Sequence, residues 1–259
     1  MQTRVWVVMP TYNEAANIVA IVRAAAAELD RLAPRDYRIL VVDDNSPDGT
    51  GELADGLAEE LAGVEVHHRA SKDGLGHAYL AGFAQALAGG AELVIEMDAD
   101  FSHDPSYLGD LLDAATEADL VLGSRYVGGG GVEDWGIVRR LVSRAGCLYS
   151  RLILRVEIRD LTGGFKCIRR EVLEAIDLDS VRAEGYGFQI EVTYRAVLAG
   201  FRVREVPIVF RDRAAGSSKM SIRIASEAIR LVPRLRGSAA AAVNQGPPST
   251  VQERAEARS

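Results

Sequence analysis

Asp98 and Asp100 stand two residues apart at the end of the apolar run 93–97, and positions i and i+2 of an extended chain point alike. Two carboxylates brought together beside a diphosphate would repel each other and that ligand. A hard divalent cation held through oxygen removes the conflict, so the pair reads as a Mg²⁺ or Mn²⁺ site. Zinc is not indicated, because His67, His68, His77 and His103 show no ligand spacing with Cys147 or Cys167.

Three further polar clusters occupy comparable places. Pro10, Thr11, Tyr12, Asn13 and Glu14 follow the apolar run 5–9; Asp43, Asp44, Asn45 and Ser46 follow 38–42; residues 72–77 follow 64–68. Any one of them could be turn and capping chemistry. All four at strand ends point to one ligand site, because an open α/β sheet binds its ligands beyond the carboxyl ends of its strands. Rival enzyme classes lack their signatures. The turn after the first run has no glycine, which a dinucleotide-binding unit needs, and Gly74-Leu75-Gly76 alone reads as a tight strand-to-helix connection. Neither a Gly-x-x-x-x-Gly-Lys-Ser/Thr loop nor a Gly-x-Ser-x-Gly elbow occurs.

The elements that must carry these clusters alternate. Strands are predicted at 5–9, 38–42, 64–68, 93–97 and 119–123. Between them lie a helix through Ile18, Ile21, Val22, Ala25, Leu29 and Leu32, a second with Leu53, Leu57 and Leu61 on one face, a third at 79–87, and a fourth capped by Asp104 and Pro105 and running to about 116. This is the pattern of an α/β, doubly wound, mostly parallel sheet flanked by helices. After the glycine run 128–131 come a long helix over 135–155, a helix at 191–198, a strand at 203–210 and a helix at 220–231 that Pro233 closes. Residues 1–236 are expected to form one catalytic domain, and 237–259, without periodicity, a disordered tail.

With 259 residues, 48% apolar and 26% charged, the chain can bury one sizeable core. The formal net charge of -7 argues against nucleic acid as a partner. No apolar run reaches membrane-spanning length and no export signal opens the sequence, so membrane contact is expected to be peripheral and the compartment cytoplasmic; the two cysteines are expected to be inert thiols. One segment departs from the acidic average. Residues 135–155 hold Arg139, Arg140, Arg144, Arg151 and Arg155 and no acidic residue. On a helix the last four fall within an arc of about 60°, with Leu141, Leu148 and Leu152 on other faces. Lys219, Arg223, Arg230 and Arg234 repeat the spacing. An anionic lipid surface and a merely solvated charged face both remain open as readings.

With Pro-Thr-Tyr-Asn-Glu at 10–14, Val-Val-Asp-Asp-Asn-Ser-Pro-Asp-Gly-Thr at 41–50, Gly-Leu-Gly at 74–76, Asp-Ala-Asp-Phe-Ser-His at 98–103 and Gly-Ser-Arg-Tyr at 123–126, the chain resembles a known family. The resemblance continues through Asp-Leu-Thr-Gly-Gly-Phe at 160–165, Gly-Tyr-Gly-Phe-Gln at 185–189, Val-Pro-Ile-Val-Phe-Arg-Asp-Arg at 206–213 and Ser-Ser-Lys-Met at 217–220. The family is the polyprenyl-phosphate mannosyltransferases, the dolichol-phosphate-mannose synthase group of the inverting family 2 glycosyltransferases, and the likeness spans about 5–235.

The resemblance implies a GT-A fold with amphipathic helices toward its C-terminus, GDP-mannose as donor, a polyprenyl phosphate as acceptor, and Mg²⁺ or Mn²⁺. It implies that Pro10, Tyr12, Glu14, Val42 and Asp44 line the nucleotide, with Asp98, Ala99 and Asp100 at the ribose, diphosphate and metal. Arg213 and Lys219 match positions that contact the donor phosphates. Arg125, Arg139 and Ser143 match positions at the acceptor phosphate or transferred sugar; Arg139 and Ser143, at i and i+4, can face one phosphate. Asp98, Asp100 and Arg125 are then the catalytic set of a single in-line displacement with inversion. A phosphate monoester is already anionic near neutral pH, so no dedicated general base is needed, and the burden falls on the leaving nucleoside diphosphate.

Ser102 stands where some relatives carry glutamine, and Gly164 and Lys166 where serine and arginine are common. Many relatives add C-terminal spanning helices, and none is expected in this chain. Its basic amphipathic segments, or a separate membrane-anchoring protein, would hold it at the inner face of the membrane. Two alternatives remain, UDP-glucose as donor and a non-catalytic scaffold on the same fold; the intact Asp98, Asp100, Arg125, Arg213 and Lys219 weigh against the second.

Overall fold

The computed structural model describes residues 3–32, 36–181, 185–211 and 231–237. The first half alternates as its periodicity requires: β1 (Val5–Thr11), α1 (Ile18–Leu32), β2 (Tyr37–Asp43), α2 (Thr50–Glu60), β3 (Val64–His68), α3 (Leu75–Ala88) and β4 (Leu93–Glu96). A 3₁₀ turn at Pro105–Tyr107 leads into α4 (Leu108–Ala114), then β5 (Leu120–Ser124), β6 (Gly131–Val132), α5 (Ile137–Leu154), β7 (Lys166–Arg169), α6 (Arg170–Ala175), α7 (Gly185–Leu198), β8 (Val203–Pro207) and β9 (Val209–Phe210).

Seven strands form one sheet in the order β3-β2-β1-β4-β7-β5-β8, parallel throughout except for β7, which is antiparallel to both its neighbours. The alternating side chains of its strands feed two cores. Val8, Leu40, Val42, Val94 and Leu122 face a layer that includes Tyr79, Phe83 and Phe188, with the Tyr79 and Phe188 rings stacked at 5.9 Å. Val7, Met9, Ile39, Val41 and Ile95 face the opposite layer, where Ile21, Val22 and Leu29 of α1 meet Leu108 and Leu111 of α4. Covered on both faces, the inner strands β1, β2, β4 and β5 are mostly apolar, whereas the edge strands β3 and β8 are only partly buried and carry charged or histidine side chains.

Five expectations shift. On α2 the sheet-facing side is Thr50, Gly51, Ala54 and Leu57, while Leu53 is exposed, because the small residues allow close approach: a Cβ on Gly51 would lie 2.9 Å from Asp43 Oδ2. Asp104 caps as expected, accepting from the Ser106 N–H at 2.9 Å, but the first turn is 3₁₀ and α4 ends at Ala114. Helix α7 begins six residues before the expected 191, since burial of Phe188 and Ile190 overrides the glycines that weaken its pattern. The strand at 203–210 is two strands: Pro207, without an N–H, closes β8, and β9 pairs with β6 in a separate two-stranded sheet. Residues 231–237 are helical, so Pro233 lies inside helical backbone, where Val232 is fully buried. The expected helix at 220–231, apart from Leu231, and the tail at 238–259 lie outside the described residues, as do Arg213, Lys219, Arg223 and Arg230.

Candidate active site

At the β1 and β2 ends the chain turns through Asn13 and Asn45, both in the left-handed region (φ 60° and 57°), which asparagine tolerates. Asp43 lies opposite Thr11 in the ladder and ties the turn, accepting from the Ser46 N–H at 3.2 Å and its hydroxyl at 2.5 Å. Asp44 is buried; its carboxylate accepts from Arg69 Nη1 at 2.5 Å, yet burial outweighs the guanidinium and leaves its pKa raised. The Glu14 N–H donates to Thr50 Oγ1 at 2.9 Å, and its carboxylate accepts from Asn17 Nδ2 at 2.8 Å. Lys72 Nζ sits 3.6 Å from the centre of the half-buried Tyr12 ring. Pro10 is half-buried beside them, whereas the Val42 side chain is wholly in the core, so Val42 can border a ligand only through its backbone.

Asp98 and Asp100 follow β4, and Phe101, at φ 62°, reverses the chain directly behind them. Asp98 is partly exposed, while Ala99 and Asp100 are buried. Tyr79 Oη donates to Asp98 Oδ1 at 3.2 Å, and Asp100 Oδ1 accepts from the Ser102 N–H at 3.0 Å. The Asp98 N–H donates to His103 Nδ1 at 2.9 Å. That bond requires an unprotonated Nδ1, so the ring is neutral with its proton on Nε2, a state that burial favours by lowering the His103 pKa. His103 stacks on Phe165 at 4.8 Å, which fixes the plane of the ring.

The donors here suit a hard cation. Asp98 and Asp100 lie on the same turn as Ser102, whose hydroxyl is buried with no hydrogen-bond partner among the described residues, and no cluster of three carboxylate, histidine or cysteine ligands exists among those residues. Such an incomplete oxygen set suits Mg²⁺ or Mn²⁺, which complete their shells with water and phosphate oxygens.

Sequence reasoning did not single out a charged pair beneath this turn. Glu96, two residues before Asp98, and Lys166, its partner across the β4–β7 ladder, are both fully buried, with Nζ 3.9 Å from Glu96 Oε2. Lys166 also donates to the Gln189 carbonyl at 3.1 Å. Burial raises Glu96 to about 7 and lowers Lys166. A glutamate within an otherwise apolar strand was the available signal.

The second half supplies a cationic flank. Arg125, one residue past β5, is buried, donating from Nε and Nη2 to Asp160 at 2.7 and 2.6 Å and from Nη2 to Thr162 at 2.8 Å. Burial alone would raise the Asp160 carboxyl, but the Arg125 charge and hydrogen bonds hold it below its ordinary value. The inner face of α5 closes over this pair. Tyr126 Oη donates to Ser143 Oγ at 2.6 Å, and the Arg139 guanidinium lies 4.0 Å from the centre of the Trp135 ring, which Arg125 approaches at 5.5 Å. Arg125, Arg139 and Ser143 are thus brought together. Phe210 joins this flank to the carboxylates, its ring 5.4 Å from Arg125 and edge-on to His103 at 5.7 Å. Cys147 and Cys167 are buried free thiols, pushed up to about 11 and 12 by burial, which keeps them unreactive.

Residues 6–177 match the model of the glycosyl transferase family 2. The chain is 46% identical over 234 residues to an undecaprenyl-phosphate mannosyltransferase of Micrococcus luteus, covering 89% of this chain and 93% of the relative. It is 51% identical over 220 residues to a polyprenol monophosphomannose synthase of Mycolicibacterium smegmatis, covering 84% and 81%. Among solved structures, it resembles glucosyl-3-phosphoglycerate synthase of Mycobacterium tuberculosis bound to Mn²⁺, UDP-glucose and phosphoglyceric acid (TM-score 0.67, 20% identity, 91% of this chain and 80% of that one). It also resembles mannosyl-3-phosphoglycerate synthase of Rubrobacter xylanophilus (TM-score 0.63, 22% identity, 90% and 73%). The two structural likenesses establish the fold, the GT-A type; the family model and the close relatives establish that this chain is a glycosyltransferase and belongs to glycosyl transferase family 2, in the group that holds these polyprenyl-phosphate mannosyltransferases.

Proposed function

We propose that the chain transfers mannose from GDP-mannose to a polyprenyl phosphate at the surface of the membrane's inner face, by one metal-dependent displacement with inversion. The observation that carries this reading is the juxtaposition, across Phe210, of the Asp98–Asp100 turn and the Arg125–Arg139–Ser143 flank. The first suits a cation-bound diphosphate and the second a phosphate acceptor. The names of the two close relatives support mannose and a polyprenyl phosphate over a UDP-glucose donor.

In this reading Pro10, Tyr12, Glu14, Asp44 and the Val42 backbone border the nucleotide, and Arg213 and Lys219 meet the donor phosphates. Asp98 and Asp100 would hold Mg²⁺ or Mn²⁺, whose charge stabilises the leaving diphosphate. Asp160 keeps Arg125 in a fixed orientation, with its Nη1 donating no hydrogen bond to any described residue. Arg139 and Ser143 place the acceptor phosphate, so the nucleophile is oriented rather than deprotonated.

The test is transfer of label from GDP-mannose, and separately from UDP-glucose, into the lipid fraction with Mg²⁺ and a polyprenyl phosphate. GDP-mannose alone should label the lipid; label from UDP-glucose alone would replace the donor assignment, and label from neither would favour a scaffold. Asp100→Ala should abolish turnover, and Arg139→Ala should mainly raise KM for the acceptor. Equal losses of the same kinetic kind in both variants would refute this division of roles.

A further inference from the structure

Between β6 and α5 one side chain turns in while its neighbours stay out: Glu133, Asp134, Gly136 and Ile137 are exposed, whereas Trp135 is 5% accessible. Asp134, in the left-handed region at φ 58°, reverses the chain just before it. The buried indole meets two cations and an aromatic ring. Arg139 Cζ lies 4.0 Å from its centre and Arg125 Cζ 5.5 Å, and the Phe210 ring stands 5.5 Å away at 75°. Its Nε1 is buried with no hydrogen-bond partner among the described residues. Buried polar groups are almost always paired, because a stranded donor costs stability. A hydroxyl can rotate toward a weak partner and can accept as well as donate, but an indole N–H only donates, along a direction fixed by the ring. Stacking on guanidinium accounts for the ring. It does not account for the stranded N–H.

We infer that Trp135 is a substrate-contacting residue, whose indole N–H donates to an oxygen of a phosphate monoester bound at Arg125 and Arg139. This role rests on the acceptor reading above and adds a neutral donor to it. Charge selects the class of ligand: two guanidiniums at one ring favour an anionic acceptor for the N–H. Placement selects between the phosphates of the reaction. Phe210 touches both Trp135 and His103, and His103 accepts from the Asp98 N–H, so the ring divides the carboxylate turn from the arginine flank. Trp135 packs on the two arginines, which puts its N–H on the flank assigned to the acceptor rather than to the donor diphosphate.

The test uses the full chain and geranyl phosphate, a short-chain polyprenyl phosphate, with geraniol as the control that lacks the phosphate. The chain has two tryptophans, and Trp135→Phe identifies which of the two indole N–H resonances in a nitrogen-15 spectrum belongs to Trp135. Geranyl phosphate should move that resonance downfield, and neither geraniol nor GDP-mannose should. Replacing Trp135 by benzothienylalanine keeps both fused rings and puts sulfur in place of the N–H. It should weaken geranyl phosphate binding about tenfold or more by calorimetry, the loss of one hydrogen bond to a charged group, at an unchanged unfolding midpoint. Geranyl phosphate binding that leaves the Trp135 resonance in place, or that the replacement does not weaken, overturns the contact and leaves the acceptor reading standing. A downfield shift with GDP-mannose instead overturns the assignment to the acceptor phosphate. A wild type that binds no geranyl phosphate refutes the acceptor reading and the contact with it.

Discussion

Arg125 and Asp160 form a buried ion pair at the site in which each charge compensates the other. Removing one partner strands the other, and such breaks cost about 3–5 kcal/mol. Asp160→Asn should therefore lower stability by about that much and impair turnover by releasing Arg125, measured by denaturant unfolding and initial rates. The pH dependence has a defined sign. A carboxyl whose folded pKa is depressed contributes stability above its unfolded pKa of about 4, and that contribution is lost as pH falls through the folded value. The stability gap between wild type and Asp160→Asn should hold near neutrality and narrow below about pH 4. His103 offers a second residue-scale test. Its Nδ1 is the acceptor for the Asp98 N–H, so His103→Phe keeps the stacking on Phe165 and deletes the bond. A loss of about 1–3 kcal/mol is expected, and His103→Asn, which retains an acceptor, should recover part of it.

Among the elements, α3 depends on a glycine. A Cβ on Gly82 would sit 2.3 Å from Val8 Cγ1, so α3 rests on β1 at a distance no larger residue allows. Gly82→Ala should cost about 1–3 kcal/mol through overpacking, against the small gain that alanine brings to an exposed helix. A higher unfolding midpoint in the variant would contradict this packing. The same scale shows what the sequence made legible. Strands β1, β2, β4 and β5 were readable because strands buried on both faces are mostly apolar at strand length, and helix α1 because its buried residues recur at helical spacing. Strand β7 was not, since Lys166–Arg169 contains only two apolar residues and its buried lysine is satisfied by Glu96 and Gln189, which lie far away in sequence. At the site, Asp98 and Asp100 were legible from their spacing. The Arg125–Asp160 pair was not, because its partners are 35 residues apart and nothing local couples them. On α5 the arginine arc was legible, but which face turned outward was not: that depends on Tyr126 and Thr162 receiving Ser143 and Cys147 on its polar side.

Across the whole molecule, charge is divided to match the reaction proposed. Glu14, Asp43, Asp44, Asp98 and Asp100 gather at neighbouring strand ends, on the proposed donor side, and Arg125 and Arg139 stand on the proposed acceptor side. A nucleoside diphosphate brought alone to the carboxylates meets like charge, and a divalent cation alone meets an incomplete oxygen set. Each supplies what the other lacks, so binding should be cooperative. GDP and Mn²⁺ together, at about a hundred times their joint dissociation constant, should stabilise the folded chain by about 2.7 kcal/mol. That corresponds to a rise of about 5–10 °C in unfolding midpoint for a domain of this size. Either component alone should give a small fraction of that rise, and a chelator should reverse it. If GDP alone raised the midpoint as far as GDP with Mn²⁺, Asp98 and Asp100 would not be acting through a shared cation, and the donor phosphates would have to be held by side-chain cations alone.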